Sequence, residues 1–253
     1  MIELAIIGGT GLTTLNNLEI KHREVMRTPY GEPSAPLVHG KLCHQDVVFL
    51  PRHGHGHTIP PHMVNYRANL WALREVGVRN VISVAAVGGI RADMLPGRLA
   101  IPDQIIDYTW SRRHTYFESE LSHVTHIDFT RPYSEALRQL LIDSARQLKL
   151  QIIEGGTYAA TQGPRLETAA EIDRLERDGC SIVGMTGMPE AALARELEMG
   201  YAHCAVIANL AAGRGAGEIS MDDIENNLVT GMEQVRCLLE TAIPKLDSAS
   251  CTL

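Results

Sequence analysis

The sequence is poor in aromatic residues (5% of 253) and has five cysteines. Cys43, Cys180, Cys204, Cys237 and Cys251 are odd in number, scattered and without a CxxC pair, which argues against a disulfide framework and a thiolate zinc site. They read as reduced thiols of a cytoplasmic protein. Cationic excess is also missing. The formal charge is -7 and the pI near 5.9, so neither nucleic acid nor an anionic membrane is an expected partner, and any bound anion must be held by a local arrangement. No apolar run approaches the ~20 residues of a membrane span, and the short run after Glu3 lacks a basic leader.

Several catalytic signatures are absent too. The glycine cluster in "IIGGTGLT" (6–13) has no following Gly-Lys-Ser/Thr, which excludes a Walker loop, and Thr14 stands where a dinucleotide fingerprint requires its third glycine. No GxSxG elbow and no recognisable cysteine nucleophile motif occurs, which leaves covalent acyl transfer without support.

What is present is an alternation of short apolar runs with helical patterns. "LAIIG" (4–8), "DVVFL" (46–50), "NVISVAAV" (80–87), "LAIPDQIID" (99–107), "SIVGM" (181–185) and "AHCAVIAN" (202–209) suit strands buried on both faces. Helical spacing joins Tyr66, Leu70 and Leu73 before Gly77, and Leu137, Leu141 and Leu148 after a capping Ser134. "TAAE" (168–171) forms a capping box ahead of Ile172 and Leu175. Ser220 caps a last helix whose stripe runs from Met221 through Ile224, Leu228, Met232, Val235 and Leu239 to Ala242, with Pro244 stopping it. These patterns predict one three-layer α/β/α domain with a central, largely parallel (mixed) twisted sheet over 1–246, followed by a tail at 247–253. The segment 109–133 is a long loop rich in aromatics and histidine, a kind that tends to be functional or to meet a partner.

The candidate chemistry lies in glycine- and histidine-rich turns. "GGTG" presents the Thr10 hydroxyl on a turn that could equally be a plain turn. "LPRHGHGHTIPPH" (50–62) packs four histidines beside Arg52. In an extended strand His53, His55 and His57 would share one face, as a metal requires, but no carboxylate stands at a recognised spacing. Arg52 beside His53 favours an oxyanion, and a purely structural loop is the third reading. In "TQGPRLET" (161–168) Glu167 opens a helix, and in "GMTGMPEA" (184–191) Thr186 sits among glycines after a buried strand.

In this order "IIGGTGL", "RHGHGHTIPPHMVNYRANLWAL", "AVGGI", "TQGPRLET" and "GMTGMPEAALARE" resemble the trimeric purine nucleoside phosphorylase family, particularly its methylthioadenosine/methylthioinosine phosphorylase branch. The resemblance runs from Ile2 to about Leu246. It implies a homotrimer that transfers a pentosyl group from a purine to inorganic phosphate, with phosphate as co-substrate and neither cofactor nor metal. By the same resemblance Thr10, Arg52, His53, Ala86 and Thr186 bind phosphate, Met185 contacts the ribose, and Glu167 and Asn209 read the base and act in catalysis. His57 becomes a wall of the substrate pocket, while His55 and His62 stay structural. His126, with Ile127, matches a segment that the family contributes from a neighbouring subunit.

Departures from the family pattern guide the substrate reading. Adenine-handling members carry two aspartates where this chain has Asn209 and Ala211, and Glu167 can accept the N1–H that 6-oxopurines possess and adenine lacks. Sites built on such pairing can discriminate by roughly 10⁴-fold. No histidine stands near the last helix to receive a 5′-hydroxyl. Met221 is there instead, and its thioether suits a methylthio group. Methylthioinosine is therefore the expected substrate, ahead of inosine or guanosine and of methylthioadenosine; a non-catalytic nucleoside-binding protein and a metal-dependent hydrolase are the alternatives of other classes. Leu166 stands where many members have a ring-stacking Phe, and Ala85 where some have a phosphate-binding Thr.

Overall fold

The computed structural model describes residues 3–12, 14, 15, 17–119 and 122–246. The tail expected at 247–253, with Cys251, lies outside them. An eleven-stranded mixed sheet carries five α-helices. The apolar runs form β1 (Leu4–Gly8), β4 (Gln45–Pro51), β5 (Asn80–Gly89), β10 (Cys180–Gly184) and β11 (Gly200–Leu210). Their side chains are buried on both faces because helices cover both sides of the sheet. On one side lie α1 (Tyr66–Glu75) and α4 (Gly187–Glu196), and on the other α2 (Glu135–Gln147) and α5 (Met221–Ala242), which gives the three layers. A shorter α3 (Ala169–Arg177) packs on β10. The expected caps are in place: Ser134 and Ser220 accept from backbone amides three residues on, and Thr168 with Glu171 forms the full capping box. No helix among the described residues is long and apolar enough to cross a membrane.

Two expectations need amendment. "LAIPDQIID" is not one strand but two, β6 (Leu99–Ile101) and β7 (Gln104–Asp107), which lie in different parts of the sheet. Pro102 follows the first; without an N–H it cannot continue a ladder. Four further strands were not expected: β2 (Glu19–Glu24), β3 (Leu37–Leu42), β8 (Ile152–Glu154) and β9 (Thr157–Ala160). In β2 almost every side chain is exposed, so "EIKHRE" has no hydrophobic alternation to betray it. It forms the outer edge of an antiparallel ribbon β2–β3–β4.

The topology has one feature that positions the site. β11 runs parallel to β5 along the whole of one edge, from Gly200 opposite Asn80 to Leu210 opposite Gly89. The other edge is shared. Parallel β1 pairs with it over Asn80–Ser83, and antiparallel β10 pairs only with Gly88 and Gly89. Between them the sheet forks, and Val84–Val87 have no strand neighbour on that side. Backbone groups that a ladder would consume are thereby left for other partners. A fork at a reversal of strand order is a place where open α/β sheets bind ligands.

Candidate active site

A cavity of about 430 Å³ opens at this fork. Its floor is Ala85, Ala86, Val87 and Gly88 of β5. Thr10 reaches it from the turn after β1, His53 and His57 from the loop after β4, and Met185 and Thr186 from the junction of β10 and α4. Leu166 and Glu167 precede α3, Asn209 and Ala211 end β11, and Met221 and Ile224 begin α5. Of the sequence-derived site residues, Thr10, His53, Ala86, Thr186, Met185, His57, Met221, Glu167, Asn209 and Leu166 all line this one space. Arg52 and His126 do not. His55 and His62 are exposed and stay outside it.

Arg52 is the clearest departure from expectation. Its side chain is fully buried, with Nε donating to Glu190 Oε1 at 2.7 Å, Nη2 to Glu190 Oε2 at 2.9 Å and to Ser83 Oγ at 2.6 Å, and Nη1 to the Val84 carbonyl at 3.1 Å. Four of the five guanidinium hydrogens are thus taken within the protein. Only one on Nη1 is left, close beneath the Gly9 backbone, where an added Cβ would come within 2.8 Å of that nitrogen. Ser83 and Tyr201 also donate to Glu190 Oε2, each at 2.8 Å. Burial alone would make Glu190 harder to ionise, yet the guanidinium and these donors hold it below the ordinary carboxylate range; the same pairing overrides burial and raises Arg52. This is a buried, hydrogen-bonded ion pair that supplies a positive field beneath the glycine turn, with at most one hydrogen free for a ligand.

His53 faces the cavity. Burial, then the Arg52 charge, lowers its pKa to about 4. Its Nδ1 lies 2.8 Å from the Ile59 carbonyl, which can only accept, so Nδ1 carries the proton and the neutral ring offers Nε2 as an acceptor. The His57 ring lies 4.7 Å away, centroid to centroid, and its Nε2 is 3.4 Å from the Thr10 hydroxyl. Thr186 is buried, and its Oγ1 makes no hydrogen bond of good geometry, with the Tyr158 hydroxyl as the polar group beside it. Its amide donates to the Tyr158 hydroxyl at 3.3 Å, which fixes the backbone where Thr186 lines the cavity. A buried hydroxyl without a partner costs about 1–3 kcal/mol unless a ligand meets it.

The opposite end of the cavity is built for a planar heterocycle. Glu167 Oε1 accepts from the Thr161 hydroxyl at 2.6 Å, which orients the carboxylate. Asn209 donates one Nδ2 hydrogen to the Leu210 carbonyl at 2.7 Å, which settles its amide orientation and leaves a second N–H and Oδ1 for a ligand. Ala208, Ala211, Ala212 and Val183 complete an apolar wall.

One organising residue has no sequence signal. Arg112, buried within the long 109–133 loop, donates to the carbonyls of Met185 (2.8 Å), Met188 (2.7 Å), Gln162 (2.8 Å) and Thr161 (3.2 Å). It pins the Glu167 loop to the Thr186 loop. In the sequence it is one arginine of a pair in a polar loop, and only its four carbonyl partners single it out. His126, from the same long loop, is exposed and away from the cavity of its own chain.

Residues 3–244 match the model of the phosphorylase superfamily, and the chain belongs to that family. Relatives include a probable S-methyl-5′-thioinosine phosphorylase of Pseudomonas syringae pv. tomato, 53% identical over 94% of this chain and 97% of the relative. A 6-oxopurine nucleoside phosphorylase of Pyrococcus furiosus is 45% identical over 96% and 93%. Among solved structures, methylthioadenosine phosphorylase from Schistosoma mansoni in complex with adenine superposes with a TM-score of 0.93 at 31% identity, covering 99% of this chain and 95% of that one. The chain is accordingly a pentosyltransferase of the purine nucleoside phosphorylase type.

Proposed function

We propose that the chain catalyses phosphorolysis of S-methyl-5′-thioinosine to hypoxanthine and 5-methylthioribose 1-phosphate. The observation that carries the reading is the polar asymmetry of the cavity. Acceptors and one amide (Glu167, Asn209) gather at one end, a buried unpartnered hydroxyl (Thr186) and an open strand edge at the other, with sulfur-bearing Met185 and Met221 along the walls. The relatives named for methylthioinosine and 6-oxopurine substrates support the same assignment.

In the reaction the bond from sugar C1′ to purine N9 breaks with its electron pair leaving on the purine, while a phosphate oxygen bonds to C1′. Positive charge grows on the sugar and negative charge on the base, so both ends must be stabilised together. The Thr10 and Thr186 hydroxyls and the amides of the β5 edge hold phosphate oxygens. Neutral His53 accepts a hydrogen bond at Nε2 from the P–OH of monohydrogen phosphate, which leaves the unprotonated oxygens to face C1′. The field of the Arg52–Glu190 pair acts from beneath. On the base, the second Asn209 N–H donates to purine N7 as electrons arrive there, and Glu167 accepts N1–H. Ala211 offers no acceptor to a 6-amino group. Met221, 62% exposed at the rim, packs against the 5′-methylthio group; ordinary inosine and guanosine are the second reading, because a rim methionine tolerates a hydroxyl in water.

We also assign a homotrimer in the cytoplasm, with His126 and Ile127 completing a neighbour's 5′-subsite. The exposed Trp110 and Val124 in the same loop suit a surface covered by another subunit. Light scattering tests the trimer. Phosphorolysis of methylthioinosine, inosine and methylthioadenosine compared side by side tests the substrate: the expected order is methylthioinosine first, and faster cleavage of methylthioadenosine would overturn the base assignment. Asn209→Asp with Ala211→Asp should move kcat/KM toward 6-aminopurines by about tenfold or more.

A further inference from the structure

A second cluster of histidines lies on the β2–β3 edge of the sheet, outside the residues that line the cavity. β2 and β3 pair antiparallel with His22 directly opposite His39, and Glu24 is two residues further along β2, on the same face as His22. The two imidazoles stack with centroids 4.3 Å apart and planes inclined by 8°. One ligating atom from each of His22, Glu24 and His39 lies within 4.8 Å of the other two. His39 is buried, and neither of its ring nitrogens has an aligned hydrogen-bond partner, although Nε2 lies 2.9 Å from Glu24 Oε2. Among the described residues, the side-chain charges acting on His39 are those of His22 and Glu24.

We propose that His22, Glu24 and His39 form a binding site for a divalent transition-metal ion of the zinc class, outside the catalytic centre. Two imidazoles and one carboxylate are a donor set that zinc takes with a water as fourth ligand. Tetrahedral bonds of about 2.0–2.1 Å place ligand atoms roughly 3.3 Å apart, so small side-chain rotations close the present spacing. One nitrogen comes from a buried strand and two donors from the exposed edge strand. A bound ion therefore fastens β2 to β3, where the edge otherwise holds by ladder hydrogen bonds and exposed side chains.

The test is titration of chelator-treated, dialysed full-length protein with ZnCl₂ by calorimetry, and with CoCl₂ by visible absorption, where a four-coordinate site gives an intense d–d band. The expected result is one ion per chain with a Kd of about 10 µM or tighter, and a Tm that rises with zinc. His22→Ala alters an exposed side chain remote from the cavity and is expected to fold and to retain full phosphorolysis while weakening zinc at least 100-fold. Glu24→Gln should weaken it at least tenfold. Zinc binding that His22→Ala leaves unchanged, with the ion then held by cysteines or by the His53 loop, overturns the proposal, as does no binding below about 100 µM.

Discussion

One histidine cluster of this chain lies in the loop that leaves the antiparallel ribbon after β4 and the other within the ribbon, and they differ in the charge beside them. His53 and His57 follow β4 and sit over a buried guanidinium; His22 and His39 belong to β2 and β3 and sit beside a carboxylate. In the first, burial and Arg52 together keep His53 neutral, and the neighbouring donors Thr10 and Thr186 suit an anion. In the second, burial and His22 lower His39 while Glu24 opposes them, and the surrounding donors are lone pairs that suit a cation. Imidazole is the same group in both. What it can hold is decided by the fixed charge within reach, which is why a count of histidines in a loop says little about metal.

Breaking the fixed charge of the first cluster should have the largest effect. Arg52→Met or Glu190→Leu alone leaves its buried partner uncompensated and should cost about 3–5 kcal/mol in denaturant unfolding, whereas the double variant should recover most of that. A double variant as unstable as the singles would remove the pair as the electrostatic anchor. Proton linkage is the next lever. His53, held near 4, and fully buried His203, held near 3 by burial and then by Arg52, stay neutral when folded but take up protons near 6.5 when unfolded. The unfolded state binds more protons below pH 6.5, so stability should fall as pH drops from about 6.5 toward 4, by about 1.4 kcal/mol per pH unit for each histidine. Replacing His53 with Gln should reduce that slope by about 1.4 kcal/mol per pH unit, the share of one histidine, and an unchanged slope would move the linkage elsewhere.

Thr186→Val tests the anion end directly. Removing an unpartnered hydroxyl should leave stability unchanged or slightly higher, while the KM for phosphate rises about 10- to 100-fold for a lost hydrogen bond to a charged ligand. A normal phosphate response would take Thr186 out of the site. The smallest effect is expected at the cation end without metal: Glu24→Gln removes a half-exposed ion pair and should change stability by no more than about 0.5 kcal/mol.

Much of this was legible in the sequence, and the illegible part has a common cause. Continuous apolar runs and capping residues revealed the central strands and the helices, because burial on two faces and local hydrogen bonds leave local patterns. Ten of the twelve assigned site residues line one cavity, because the turns, strand ends and helix start that carry most of them meet at the fork, over Ala86 of β5. The ion pair of Arg52 is illegible because its partner, Glu190, stands 138 positions away. Glu24 and His22 passed unnoticed since their third partner is on the next strand, and Arg112 since carbonyl oxygens leave no trace in residue type. Pairings across strands are three-dimensional facts with no period to read.

The fork in β5 has a consequence for what binding does to the protein itself. Over Val84–Val87 the sheet is one strand short on a single side, so an oxyanion accepting from the Ala86 amide on that side takes the place of a strand carbonyl. Substrate and scaffold then share hydrogen bonds. Phosphate is therefore expected to slow solvent exchange at the Ala86 amide, which lies on the same side of β5 as the Val84 carbonyl held by Arg52, and to leave Ala85 and Val87, which face β11, unchanged.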